Sequence, residues 1–194
     1  MTLTIIQGNI THAETDAIVN AANDRLYEGG GVCGAIFDAV KKFGGEDGHR
    51  KLTEACAARR PCRTGNAVIT SSFGLKAAHI IHAVGPVWKE REGDALTAPL
   101  TEHELKKVDE LASAYRAVLR VCRENKLRSV TIPGIGTGIY GFPTVVAVVV
   151  AKHICEKEAG DIDVTLIAYN EESLAILNAA PSAEGLSLLN GHKF

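Results

Sequence analysis

Gly29-Gly30-Gly31-Val32-Cys33-Gly34 and Gly136-Thr137-Gly138-Ile139-Tyr140-Gly141 repeat one spacing, G-x-G-x-x-G, at two places in the chain. Each copy follows a short apolar run that reads as a strand and leads into a segment that reads as a helix. Without Cβ atoms, such a loop lets a phosphate reach backbone N–H groups, and the following helix turns its positive end toward the anion. One such loop is a weak signal. Two in one small chain point to a diphosphate held between them, and so to a nucleotide-diphosphate ligand.

Strand-like and helix-like segments alternate around these loops, which predicts an α/β domain with helices on both faces of a sheet. Leu3 to Gln7, Ala17 to Val19, Ala67 to Ser71, Ala78 to Val84, Ser129 to Ile132 and Asp163 to Tyr169 read as strands. Val32 to Phe43 reads as a helix ending at Gly44-Gly45, and His49 to Ala58 as another. Gly93 to Pro99 reads as a loop. Thr101 and Glu104 then fit a capping box for a long helix whose apolar stripe runs from Leu105 to Cys122. The run Val145 to Val150 has strand propensity, yet its place after the second glycine loop and Pro143 predicts a helix. Glu171 to Ala179 reads as the last helix. From Pro181 to Phe194 the composition turns small and polar, and the expectation is a loosely held tail after a single domain over 1–180.

At 194 residues one domain buries about 70% of its unfolded surface. The 21 basic and 23 acidic residues give a net charge of -2, mixed along the chain, so nothing suggests nucleic acid as a general partner. The longest apolar stretch, Val145 to Ala151, falls far short of the ~20 residues that span a bilayer. No secretory signal is visible, and the expectation is a cytoplasmic, monomeric protein. The five cysteines, Cys33, Cys56, Cys62, Cys122 and Cys155, include no C-x-x-C pair and read as buried thiols. No metal or cofactor is implied by the residue inventory.

Asp16-Ala17-Ile18-Val19-Asn20-Ala21-Ala22-Asn23 precedes the first loop. A carboxamide at that point suits ribose hydroxyls or a positioned water; equally, Asn20 and Asn23 suit the satisfaction of turn backbone. A Rossmann dinucleotide site at the second loop would need an acidic residue ~20 positions on, at the carboxyl end of the next strand. Asp161 and Asp163 precede that strand, and too little chain follows for the rest of such a domain. His79 and His82 read as structural, since histidine is often half-buried and satisfied. Asp38 and Asp47 read as surface charges.

Taken with Ile81-His82-x-Val84-Gly85-Pro86 and Gly141-Phe142-Pro143, these motifs resemble the macrodomain family, most closely its MacroD-type branch, over residues 3–178. The resemblance implies a three-layer α/β/α sandwich around a mixed, mostly parallel six-stranded sheet, with ADP-ribose at the strand ends. It implies that Gly29, Gly30, Val32 and Gly34 hold the diphosphate together with Gly134, Ile135, Gly136, Thr137, Gly138, Ile139 and Gly141. Asn9 and Ile10 would meet the adenine, with Tyr169 against the ring or simply filling space at a sheet edge. Asn20, Ala21, Phe142 and Asn170 complete the implied binding set.

The implied activity is hydrolysis of mono-ADP-ribose from Asp and Glu side chains of modified proteins. Water attacks the anomeric carbon, helped by the substrate's own phosphate. A carboxylate leaving group, with a conjugate-acid pKa near ~4, needs no dedicated acid. Asn23 would orient the ribose, Gly31 and Tyr140 would place it, and Cys33 would neighbour the water. A reader that binds without turnover, or an O-acetyl-ADP-ribose deacetylase, would use the same pocket.

Three positions depart from the family's pattern. Asn9 stands where Asp is usual, an acceptor without the charge, so the expectation is weaker rather than abolished binding. Cys33 and Phe37 stand where the MacroD branch has Asp and His. Cysteine at the first of these resembles alphavirus macrodomains, which are hydrolases.

Overall fold

The computed structural model describes residues 2–89 and 98–194. Six strands, β1 (Leu3–Gln7), β2 (Ala17–Ala21), β3 (Ala67–Ser71), β4 (His79–Ala83), β5 (Ser129–Ile132) and β6 (Asp163–Ala168), form one sheet in the order β1-β6-β5-β2-β4-β3. Every neighbouring pair is parallel except β3 with β4. The helices are α1 (Gly31–Ala57), α2 (Glu102–Glu124), α3 (Thr144–Glu158) and α4 (Glu171–Ala179).

Period-two alternation along the central strands divides the core into two layers. Ala17 and Val19 of β2, Ile81 and Ala83 of β4, and Val164 and Leu166 of β6 join a cluster with Leu111, Val118, Val150 and Ile154 of α2 and α3. Ile18, Ile80 and Ile167 point the other way, into a cluster with Ile36, Phe37, Val40 and Leu52 of α1. The result is the expected three-layer sandwich with a mixed, mostly parallel sheet.

The valine run of α3 is helical because burial outweighs propensity. Each valine costs a helix about half a kcal/mol, while burying its side chain returns about 1.5 kcal/mol or more. Val146, Val149 and Val150 are almost wholly buried. Between Phe43 and His49, where a break between two helices is expected, helix persists and only Gly45 departs from it (φ 69°, ψ -174°). The capping box forms as expected, Thr101 N–H donating to Glu104 Oε2 at 2.7 Å. Residues 93–97 of the expected loop lie outside the described residues.

The tail is a correction. Leu186 and Leu189 are buried in the α2–α3 layer, Leu100 N–H donates to Leu188 O at 2.8 Å, and the Phe194 ring meets His153 edge-on at 5.2 Å. Small polar composition concealed two leucines spaced to fill a hollow beside Leu100, and the segment docks on the domain.

Candidate functional site

β2 and β5 are neighbours, yet β2 leads to α1 on one face of the sheet and β5 to α3 on the other. Where successive connections part to opposite faces, a crevice opens at the carboxyl ends of the strands. A cavity of about 770 Å³ lies there. Its walls come from the segments after β1, β2, β4, β5 and β6.

The first glycine loop runs over the start of α1. Gly34 is tight against it: a Cβ there would lie 2.7 Å from Gly29 O. Gly31 adopts φ 61°, a left-handed conformation that favours glycine. The second loop curls back, with Gly141 N–H donating to Gly138 O at 2.8 Å and Phe142 N–H to Gly136 O at 2.9 Å. The two loops meet over the cavity. A Cβ on Gly30 would sit 3.2 Å from Ile139 Cδ1, although Ile139 is 80% exposed.

Of the residues expected to bind or act, Asn9, Ile10, Ala21, Asn23, Gly29, Gly30, Gly31, Val32, Cys33, Gly134, Gly136, Thr137, Gly138, Ile139, Tyr140 and Tyr169 line the cavity. Six others are not among its lining residues. Asn20 is buried beneath Cys33. Gly34 and Gly141 shape their loops from behind, for the reasons given above. Ile135 is wholly buried with its Cγ2 against Gly85, Phe142 is buried edge-on against Trp88 at 4.9 Å, and Asn170 caps α4 by accepting Ser173 N–H at 2.9 Å.

Asn23 is held at both ends of its amide by one residue. Its Oδ1 accepts Tyr27 N–H at 3.1 Å and its Nδ2 donates to Tyr27 O at 2.8 Å. One N–H of that amide is left for a ligand. Tyr27 is itself held, with the Arg60 guanidinium 3.9 Å from its ring centroid.

Behind the wall runs a buried polar chain. Asn20 Nδ2 donates to Cys33 Sγ at 3.5 Å and to His82 Nδ1 at 3.1 Å. Because an amide N–H only donates, Nδ1 accepts and the ring proton sits on Nε2, which donates to Thr70 Oγ1 at 3.0 Å. Burial first, and the Arg59 charge second, lower the His82 pKa to about 4. Cys33 S–H donates to Tyr27 O at 3.8 Å, and burial pushes that thiol up against the opposing hydrogen bonds from Asn20 and Gly29. Cys33 is thus a neutral thiol at neutral pH. Burial likewise raises Tyr140.

Asn9 departs from its expected posture. Its Oδ1 is turned to Thr11, from N at 3.0 Å and from Oγ1 at 2.9 Å, and away from the cleft. A polar residue at a helix start prefers the free backbone N–H ahead of it.

Sequence reasoning missed Tyr115. It lines the cavity from α2, buried, its hydroxyl accepting Ile135 N–H at 3.4 Å beneath the second loop. It read as one more apolar position in a helical stripe; a tyrosine rather than a leucine there was the available signal. Gly85 also lines the cavity.

Among the described residues no cluster of three or more His, Cys, Asp or Glu is arranged to hold a metal ion, and no helix is long and apolar enough to cross a membrane.

A Macro domain profile matches residues 19–151. A macro domain-containing protein of Listeria monocytogenes is 38% identical over 190 residues, covering 95% of this chain and 99% of the relative. An O-acetyl-ADP-ribose deacetylase of Salmonella gallinarum is 39% identical, covering 88% of this chain and 89% of its own. Among solved structures, the Oceanobacillus iheyensis macrodomain with ADP superposes with a TM-score of 0.73 at 32% identity, covering 89% of this chain and 86% of that one. The Trypanosoma brucei macrodomain in complex with ADP-ribose gives 0.70 at 31%, covering 90% and 67%. A fold with its crevice at the strand switch, two facing glycine loops and these relatives agree: the chain belongs to the macro domain family.

Proposed function

We propose that the cleft binds ADP-ribose and hydrolyses the ester joining its distal ribose to an Asp or Glu side chain of a modified protein. The observation that carries this reading is the meeting of the two glycine loops, Gly30 against Ile139, over one cavity at the starts of α1 and α3. Backbone N–H groups and two helix N-termini there suit a single diphosphate. Solved relatives holding ADP and ADP-ribose support the choice of nucleotide.

In the proposed step a water oxygen bonds to the anomeric carbon of the distal ribose. The bond from that carbon to the side-chain carboxylate breaks, and its electron pair leaves with the carboxylate. The water's proton passes to a phosphate oxygen of the ligand. Cys33, a thiol raised by burial, is a poor base and takes no proton in this scheme. Asn23, fixed on the Tyr27 peptide, spends its remaining N–H on the ribose, so the chain contributes orientation and exclusion of water. The step calls for no metal or cofactor. One chain supplies every described wall of the cavity, which favours a monomer as the working unit. Five buried, unpaired thiols suit a reducing compartment such as the cytoplasm.

A second reading, deacetylation of O-acetyl-ADP-ribose, is favoured by the name of the Salmonella relative. Both substrates, presented to saturating protein in ¹⁸O-labelled water, separate the readings. Release of ADP-ribose from a Glu/Asp-modified protein, with the heavy oxygen in the ribose, supports the proposal. Release of acetate alone moves the assignment to the second reading. Full retention of both labels leaves a binding module.

A further inference from the structure

The two ends of the cavity differ in chemistry. Asn23, Gly31 and Tyr140 stand at one end, while Ile10, Ile167 and Tyr169 bound the other. Apolar and aromatic groups suit a flat base, so with the diphosphate between the glycine loops the base falls at the second end. The side-chain amide at that end is Asn9.

Asn9 caps the 3-10 segment Ile10–His12, and its Oδ1 accepts from both Thr11 N and Thr11 Oγ1. Two donors saturate a carbonyl oxygen. Thr11 is buried, and turning the amide over would strand its backbone N–H without an acceptor. The group left to meet a base is therefore Nδ2, a donor only, with no hydrogen-bond acceptor among the described residues. Ile10 opens the same segment, so its own N–H has no intrahelical acceptor either. This edge of the cleft offers donors.

Adenine presents an amino group at its 6-position, also a donor; hypoxanthine and guanine present a carbonyl oxygen there. A donor facing a donor loses its hydrogen bond once water is excluded. We infer that the base end of this cleft favours a nucleoside diphosphate ribose carrying a 6-oxopurine over the adenine form, with Asn9 as the specificity-determining residue. The inference rests on the diphosphate-ribose reading of the cavity proposed above.

Titration calorimetry of the full chain with ADP-ribose and with its hypoxanthine analogue tests it. The analogue binds more tightly, by about five-fold, the worth of one partly exposed hydrogen bond. In Asn9→Asp one carboxylate oxygen stays on Thr11 and the other offers an acceptor, so the order reverses in favour of ADP-ribose. Tighter binding of ADP-ribose by the unaltered chain overturns the inference while leaving the ADP-ribose reading intact. So does an unchanged preference in Asn9→Asp. Binding of neither nucleotide by folded protein overturns the ADP-ribose reading itself, and the base preference with it. The unaltered chain's own ratio decides the matter even where Asn9→Asp does not fold.

Discussion

His82 carries its ring in the core between β4 and α1, neutral, with each nitrogen committed. Burial lowers its folded pKa to about 4, below the roughly 6.5 of an unfolded histidine. As pH falls, the unfolded chain takes up the proton first. Stability that is fully present above about pH 6.5 is therefore lost on the way down to about pH 4, roughly 3 kcal/mol in all. Urea unfolding across that window should show a shallower dependence in His82→Gln than in the unaltered chain; parallel slopes would mean that the imidazole is not held neutral. At the cleft, Asn23→Ala removes the amide that Tyr27 clamps and should lower single-turnover hydrolysis by about 10²-fold. Cys33→Ala, which removes only a neutral thiol, should cost a few-fold at most. Equal losses would contradict the roles assigned to the two residues.

At the scale of elements, the first loop depends on a close approach that no side chain permits. A methyl group on Gly34 would lie 2.7 Å from Gly29 O, so Gly34→Ala should displace the loop while α1 remains helical. The stabilisation conferred by saturating ADP-ribose, read as a shift in melting temperature, should shrink by most of its value. A full shift in the variant would show that the loop does not hold the ligand. The spacing of these glycines was legible in the sequence because backbone geometry, and not side-chain chemistry, dictates it. The helix at Val145–Val150 was legible only from its place after a loop. Asn20, Ile135 and Phe142 were legible as neighbours of the site but not as buried supports, because a motif gives spacing along the chain and not the side of the sheet on which a residue falls. Alternation along β2 decides that Asn20 shares a face with Ile18, beneath α1. Tyr115 was invisible for a related reason: a helical stripe identifies what is buried, and a hydroxyl's partner arrives from a distant loop.

For the molecule as a whole, the alternating order of strands and helices was enough to give the layers, whereas the C-terminal segment was misjudged on composition. Leu189 is 1% exposed within the α2–α3 core. Leu189→Ala should lower the unfolding free energy by about 2 kcal/mol or more, as for other buried leucines. Chemical denaturation measures this directly, and an unchanged midpoint would return the segment to the status of an appendage.

The five sulfur atoms are shared between the two sides of the sheet: Cys33, Cys56 and Cys62 lie with α1, Cys122 and Cys155 with α2 and α3. Each is sealed from solvent, so an alkylating reagent can reach one only when its own layer opens. Peptide-resolved labelling rates would then serve as separate clocks for the two halves, showing whether ligand-side breathing precedes global melting without the introduction of any foreign probe.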